Sequence, residues 1–155
     1  MDSISKKRND ISIIGCRSCE DFKTWSKEQS QVYSNRKTQP RIDCPMDKGE
    51  LGRATWGLLH TISVSFPKNP SDDEKKDAIN FISCLSRLYP CEYCAKDFQE
   101  DLKENPVDVT SRDKFSSWMC NFHNRVNKKL GKPLFDCSKV YQRWKDGWSD
   151  GSCDE

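Results

Sequence analysis

The sequence has no long hydrophobic run and little excess charge of either sign. Its 155 residues are 34% hydrophobic and 32% charged, with a formal net charge of +2. Because a membrane-spanning helix needs roughly 20 apolar residues, we expect no membrane span. Lysines are interleaved with acidic residues, which gives little attraction for phosphate backbones, so nucleic acid is not an expected partner. This length is typical of one globular domain.

Strand patterns and nucleotide-binding glycines are also lacking. No segment alternates between apolar and polar residues for long enough to predict a strand, and no glycine-rich dinucleotide fingerprint is present. Sheet-based redox folds are therefore excluded. Within residues 1–15, the apolar stretch covers only residues 11–14, which is too short for a secretory signal.

Cysteine, in contrast, is abundant, with nine residues in the chain. Such a density indicates disulfides in an oxidising compartment or bound metal in a reducing one. An oxidised protein without a secretory signal points to an unusual route, such as the mitochondrial intermembrane space, although composition alone leaves the compartment open.

Apolar residues recur at three- and four-residue steps along most of the chain, which predicts helices. The first helix has a predicted buried stripe that includes Leu58 and Leu59, and the second opens with a capping box of Ser71 and Glu74. Gly131 supplies a C-cap for the fourth. In chain order, the predicted helices cover residues 50–66, 71–89, 91–105 and 111–130, with a short fifth over 140–148.

Two thiols three residues apart, Cys91 and Cys94, stand where the second predicted helix gives way to the third. Pro90 suits the first turn of a helix, so we expect Cys91 at a helix N-terminus and Cys94 about one turn further on. The helix dipole favours a thiolate there, which makes Cys91 the better attacking group. The pair predicts a redox-active disulfide.

A second pair, Cys16 and Cys19, precedes residues 20–43, which keep no helical or strand period and are interpreted as a flexible tether. Two such pairs also occur in zinc sites, which is the main alternative. Cys19 and Cys91 are, however, much further apart than the roughly 15–20 residues usual in a zinc ribbon, so we expect no metal. The tether would instead let the arm pair reach a distant site.

Aromatic and polar residues on the predicted helices suit a flat cofactor. Trp56 and His60 lie one turn apart on the first helix, and His123 and Asn127 one turn apart on the fourth. A flavin would match a dithiol, because it accepts two electrons and releases them singly or together. A solvated helix edge with an incidental histidine remains the alternative for His123. Further candidates are Tyr89 and Trp144 for stacking and Arg53, Lys129, Lys132 and Arg143 for phosphates.

This arrangement resembles the Erv/ALR family of FAD-dependent sulfhydryl oxidases. The likeness spans about residues 44–153, and the arm motif Cys16-Arg17-Ser18-Cys19 is also similar. The matching segments, in the order of the family, are Leu51-Gly52-Arg53 with Trp56 and His60, Tyr89-Pro90-Cys91 with Cys94, residues 120–133, residues 135–140, and Arg143-Trp144.

The resemblance implies an all-α fold, in which a four-helix bundle plus a short fifth helix encloses FAD and a flexible N-terminal arm precedes it. The arm would cover residues 1–43 and the FAD-binding oxidase domain residues 44–155, usually as a homodimer. Cys94 would lie beside the flavin, while Cys91 exchanges with the incoming dithiol. The implied FAD contacts, joined by Tyr89 as a stacking ring, are Arg53, Trp56, His60, Cys94, Cys120, His123, Asn124, Val126, Asn127, Lys129, Lys132, Arg143 and Trp144.

The other cysteines also receive roles from the resemblance. It implies a structural disulfide between Cys120 and Cys137 and a pairing of Cys44 with Cys153 between subunits. Cys84 has no partner in the family pattern. Its apolar neighbours on the second predicted helix favour a buried, inert thiol.

The implied function is the generation of disulfides. Electrons would pass from a partner dithiol to Cys16 and Cys19, then to Cys91 and Cys94, then to FAD, and finally to oxygen or cytochrome c. The implied donor is the import oxidoreductase of the mitochondrial intermembrane space, with the cytosol as a second location. The alternatives are a zinc-binding structural module and a secreted interaction protein held by disulfides, and the arm pair argues against the latter.

Overall fold

The computed structural model describes residues 44–153, which form four α-helices and two short helical turns and contain no strand. The helices are α1 (Lys48–Ser65), α2 (Asp72–Leu88), α3 (Glu92–Glu104) and α4 (Arg112–Lys129), followed by a 3-10 turn (Cys137–Lys139) and a π-helical turn (Gln142–Asp146). The predicted all-α fold of four helices and a short fifth element is confirmed. No helix in this part of the chain is long and apolar enough to cross a membrane. The arm, with Cys16 and Cys19, lies outside the described residues.

Local capping interactions set the starts of the first two helices. The predicted capping box of α2 is present, with Ser71 and Glu74 bonded to each other's backbone N–H groups. A second box begins α1, where the Glu50 N–H donates to Asp47 Oδ1 and the Asp47 N–H donates to Glu50 Oε2, both at 2.8 Å. The sequence prediction did not include this box, which starts the first helix at Lys48, two residues earlier than predicted.

The core lies where α1 packs on α4 and α2 packs on α3. A smaller cluster of Val64, Cys120 and Val140 attaches the C-terminal turns to the bundle. The π-helical turn packs on α1, which brings the end of the described chain back to the first helix. The main core consists of Leu59, Phe66, Ile82, Phe98, Val109, Phe115, Trp118, Met119 and Phe122.

Two predictions of burial are wrong. Leu58 is 56% exposed whereas Leu59 is 2% exposed, because successive helical residues point about 100° apart and only Leu59 faces the core. Cys84 is exposed rather than buried. Ile82 and Ser86 are both buried and define the inner face of α2, and Cys84, two residues from each, lies on the opposite side.

Candidate active site

The redox pair lies at the start of α3, as the sequence predicted. Cys91 is the N-cap of this helix, and its Sγ accepts a hydrogen bond from the Cys94 N–H at 3.4 Å. The two sulfurs are bonded in a disulfide, with a Cα–Cα distance of 5.2 Å. Cys91 is 1% exposed, whereas Cys94 is half-buried and lines a cavity. The two cysteines therefore differ in environment, and Cys94 is the one in contact with the cavity.

This cavity, of about 780 Å³, lies between α1, α3, α4 and the π-helical turn. The structure brings all but one of the residues predicted to bind a cofactor to its wall. These are Arg53, Trp56, His60, Tyr89, Cys94, Cys120, His123, Asn124, Val126, Asn127, Lys132, Arg143 and Trp144.

Lys129 is the predicted cofactor residue that does not line the cavity. Its Nζ lies 2.5 Å from Oδ1 of Asp97 on α3, so the ammonium group is held in an ion pair between helices. Asp97 itself lines the cavity. The ion pair was not predictable from the sequence, because the two residues are far apart in the chain and belong to different helices.

Four rings form two stacked pairs in the cavity wall. Trp56 stacks on His123 with centroids 3.9 Å apart and an angle of 5°, and His60 stacks on Trp144 at 4.5 Å and 1°. The pairs are joined by a hydrogen bond of 2.9 Å between His60 Nε2 and His123 Nδ1. Trp56 and His60 lie one turn apart on α1, so this helix contributes one ring to each pair. The alternative of a solvated edge with an incidental histidine is wrong.

Both histidines are held in the neutral form at neutral pH. Burial, with smaller effects of the nearby His123 and Arg143, lowers the pKa of His60 to about 3. Burial also lowers the pKa of His123 to about 4, with a smaller effect from Lys132. Since His60 Nε2 is occupied by His123, His60 Nδ1 is buried without a hydrogen-bond partner among the described residues. Such an atom is rare in a native structure, so a bound group or an ordered water is expected to contact it at this wall.

Cationic groups also line the cavity. Burial lowers the pKa of Lys132, and the adjacent Arg53 lowers it further, so these two cations lie close to each other. The Arg143 guanidinium lies 4.6 Å from the centroid of the Trp144 ring. Arginine and lysine side chains at a cavity wall are suited to bind phosphate oxygens. The cavity thus combines flat rings, an unsatisfied polar atom and cations, which fit an aromatic cofactor with phosphates.

Asn124 and the second disulfide hold the loop that follows α4. Asn124 Nδ2 donates to the Phe135 carbonyl at 2.8 Å, and the Phe135 N–H donates to Asn124 Oδ1 at 2.9 Å. Cys120 and Cys137 are bonded, with an S–S distance of 2.02 Å. Asn124 therefore fixes the loop in addition to lining the cavity, a contact that the sequence did not indicate. Cys44 and Cys153 are exposed thiols, and their pairing between subunits stays a prediction.

Comparison with known proteins assigns the family. The model of the Erv1 / Alr family matches residues 53–145. The chain belongs to the Erv1 / Alr family. This match includes the redox pair and every predicted cofactor residue, so the family assignment and the cavity concern the same part of the molecule.

Individual members of the Erv1 / Alr family are similar over most of this chain. It is 44% identical over 123 residues to the mitochondrial FAD-linked sulfhydryl oxidase ERV1 of Saccharomyces cerevisiae, covering 79% of this chain and 65% of that protein. It is 50% identical over 111 residues to the FAD-linked sulfhydryl oxidase ERV1 of Oryza sativa subsp. japonica, covering 71% and 57%. The chain thus spans less than two thirds of the length of these relatives.

Solved structures agree with this assignment. The crystal structure of the yeast Erv1 core covers 74% of this chain and 96% of its own, with a TM-score of 0.68 and 45% identity. The crystal structure of the FAD-binding domain of Erv1 from Saccharomyces cerevisiae gives a TM-score of 0.65 at 48% identity. The finer prediction, that the chain is closest to the long form of augmenter of liver regeneration, stays a prediction.

Proposed function

We propose that the protein is an FAD-linked sulfhydryl oxidase that generates disulfides in a dithiol partner. The observation that carries this proposal is a disulfide at a helix N-terminus whose second cysteine, Cys94, lines an aromatic and cationic cavity. Membership of the Erv1 / Alr family supports it, and the similar proteins of yeast and rice are named FAD-linked sulfhydryl oxidases.

The cavity residues fit FAD. The volume of the cavity, about 780 Å³, lies within the range of roughly 300–1,000 Å³ usual for cofactor sites. Trp56, His60, His123 and Trp144 would bind flat rings, and the unpartnered His60 Nδ1 would find a partner there. FAD, when bound, supplies a group that takes two electrons from a dithiol and releases them singly or together.

Exchange at the redox pair is the part of the reaction that the chain itself carries out. A donor thiolate would attack Cys91 Sγ and form a mixed disulfide, and the Cys91–Cys94 bond would break. The second donor thiol would then displace Cys91, which leaves the donor oxidised by two electrons and Cys91 and Cys94 as thiols. Cys91 and Cys94, the two leaving groups, lie at the N-terminus of α3, where the helix dipole favours their thiolate forms.

The neutral histidines would keep the interior of the site free of added charge. With pKa values of about 3 and 4, His60 and His123 are unprotonated at neutral pH and can hold one hydrogen bond between them. Stacking on Trp144 and Trp56 fixes the planes of the imidazoles. These rings would therefore orient the cofactor and exclude water rather than exchange protons.

The remaining steps are part of the same proposal. Cys16 and Cys19 would relay electrons from the donor protein to Cys91 and Cys94, and oxygen or cytochrome c would accept them from the enzyme. The donor would be the import oxidoreductase of the mitochondrial intermembrane space, and the enzyme a homodimer. Two of the similar proteins carry the word mitochondrial in their names, which supports a mitochondrial location.

Spectroscopy of the purified chain tests the proposal. We expect a yellow protein that releases FAD on denaturation and whose visible absorbance is bleached by dithiothreitol without oxygen. Cys94→Ser should abolish the bleaching, whereas Cys84→Ser, which changes an exposed thiol on the outer face of α2, should leave it intact. A colourless protein that unfolds on addition of a chelator would instead support the zinc module.

The relay is tested with two donors. Cys16→Ser should spare the oxidation of dithiothreitol and impair the oxidation of a protein dithiol. Equal loss with both donors would refute the relay and leave the oxidase proposal standing.

A further inference from the structure

One turn of α3 beyond Cys94, the cavity wall carries a carboxylate. Asp97 lies three residues after Cys94, and both side chains line the cavity. Residues three apart in a helix are neighbours, with Cβ atoms about 5–6 Å from each other. Among the described residues, no other aspartate or glutamate lines this wall. The cysteine that faces the cavity therefore has one negatively charged group beside it.

Lys129 holds this carboxylate from the opposite helix. Its Nζ lies 2.5 Å from Asp97 Oδ1, and the side chains of Lys129 and Asp97 are 48% and 25% exposed. Burial lowers the pKa of Lys129, but the hydrogen bond and the charge of Asp97, with a smaller effect of Asp101, outweigh burial and raise the pKa above the usual 10.5. Lys129 is therefore a cation at neutral pH, and its charge offsets that of Asp97.

A second ion pair between the same helices keeps this arrangement in place. Asp101, one turn beyond Asp97 on α3, binds Arg125. Arg125 and Lys129 are four residues apart and so lie on one face of α4. On α3, positions 94, 97 and 101 lie within about 60° of each other around the helix axis. The face of α3 that carries Cys94 is thus the face that is joined to α4, which keeps Asp97 and Lys129 next to the cavity.

We propose that Asp97 and Lys129 are positioning residues for the redox reaction, and that their balanced charges set how readily the Cys94 thiol ionises. This inference rests on the proposed oxidase function and gives both residues a role in it. A lone carboxylate beside Cys94 would oppose the thiolate, and a lone ammonium group would favour it. With both charges present, the two effects largely cancel, and the helix N-terminus decides the ionisation.

Other charged groups also face the cavity. The cations of the wall are Lys48 and Arg53 on α1, Lys132 after α4 and Arg143 in the π-helical turn. The remaining titratable residues of the wall are Tyr89, Tyr93 and the neutral His60 and His123. These groups are the same in the variants described below, so a difference between variants reports on Asp97 and Lys129.

Titration of the Cys94 thiol tests this role. Cys91→Ser leaves Cys94 without its disulfide partner, and cysteine labelled with carbon-13 at Cβ reports the ionisation of each thiol by NMR. Every variant is made in the full chain in this background and is measured with FAD bound. The signal of Cys94 is identified by its loss in the additional variant Cys94→Ser.

The two single variants should act in opposite directions. Lys129→Met should lower the acid dissociation constant of the Cys94 thiol about three- to tenfold, because it leaves the charge of Asp97 unbalanced. Asp97→Asn should raise the same constant by about the same factor, because it leaves the charge of Lys129 unbalanced. The two changes combined should return the constant to within about twofold of the background. Lys129→Arg keeps the charge and should do the same.

Lys96→Met is the matched control, since it removes an ammonium group from an ion pair that involves the same helix. Lys96 pairs with Glu92, and the two side chains are 70% and 81% exposed. Lys96 lies two residues from Cys94, about 200° around the helix axis, so its charge is on the outer side. Because solvent screens a charge there, the dissociation constant should change by less than about twofold.

The inference would be overturned by a dissociation constant that neither single variant changes in protein that still binds FAD. The ion pair would then only hold two helices together. Changes of the same sign in both single variants, without recovery in the double variant, would indicate a general disturbance of the site and would also overturn it. If Lys129→Met does not fold, the direction of the change in Asp97→Asn decides. A protein that binds no FAD would instead refute the oxidase proposal on which the inference rests.

Discussion

The ion pair between Arg125 and Asp101 joins the helix that carries the redox pair to the helix that carries His123. Arg125 Nε and Nη2 donate to Oδ1 and Oδ2 of Asp101, each at 2.7 Å. The side chain of Asp101 is 4% exposed and that of Arg125 is 30% exposed. The carboxylate is therefore buried and depends on a two-point contact with the guanidinium.

Arg125→Met should destabilise the fold by about 3 kcal/mol. Removing one partner of a buried pair costs about 3–5 kcal/mol, because it leaves the other charge buried and unpaired, and the partial exposure of Arg125 places the cost at the low end. Replacing both residues with apolar ones removes the unpaired charge. The double variant Asp101→Leu with Arg125→Met should therefore be more stable than Arg125→Met alone, by at least about 1 kcal/mol.

Urea unfolding followed by circular dichroism measures these differences. FAD is kept at one saturating concentration, because a ligand of the folded state adds to its stability. Lys75→Met is the control, since it breaks a pair with Asp72 in which the side chains are 35% and 99% exposed, and it should cost less than about 0.5 kcal/mol. A loss below about 1 kcal/mol for Arg125→Met, or a double variant less stable than the single one, would refute the reasoning.

Three further predictions concern pH, the second disulfide and a glycine. The pKa values of His60 and His123, about 3 and 4, lie below the usual 6.5, so between about pH 6.5 and 4 the unfolded chain binds more protons than the folded one. The free energy of unfolding should therefore fall as the pH falls through this window, by at most about 1.4 kcal/mol per pH unit for each histidine. Urea unfolding midpoints that coincide at pH 7 and pH 5 would contradict this prediction. Cys137→Ser opens a disulfide whose cysteines are 17 residues apart, and it should lower the free energy of unfolding by about 3 kcal/mol in the same urea assay. An unchanged free energy of unfolding would contradict this prediction. Gly131→Ala should lower the stability of the folded protein by about 1 kcal/mol, measured by thermal unfolding, because φ is +64° at this position. Gly57→Ala is the control and should not destabilise the protein, since Gly57 lies in a helix where an added methyl group meets no atom within 4 Å.

Helix boundaries were predictable where a single local interaction fixes them. Ser71 and Glu74 begin α2 through bonds within four residues, and Gly131 follows α4 with a positive φ that its sequence position alone indicates. The start of α1 depends on the same kind of local box, formed by Asp47 and Glu50, and was therefore predictable in principle.

The positions that the sequence mispredicted depend on contacts between helices. Whether Leu58 or Leu59 faces the core is decided by where α4 packs on α1, which the spacing of apolar residues along one helix does not specify. The ion pair of Lys129 with Asp97 likewise requires the relative placement of α4 and α3. Helical periodicity gives the face of a helix to within about one residue, and the partner helix decides the rest.

Reactivity and accessibility of the redox pair have different physical origins, and only the first is local. The helix N-terminus that activates Cys91 follows from Pro90 and the residues after it, so the sequence predicts a reactive sulfur. The burial of that sulfur follows from packing of α3 against the bundle and was not predictable. A donor can attack a buried sulfur only when the residues around it move aside, so these residues as well as the helix dipole determine the rate of exchange. Leu88, Glu92 and Tyr93 lie within three residues of Cys91 in the chain, and all three are exposed.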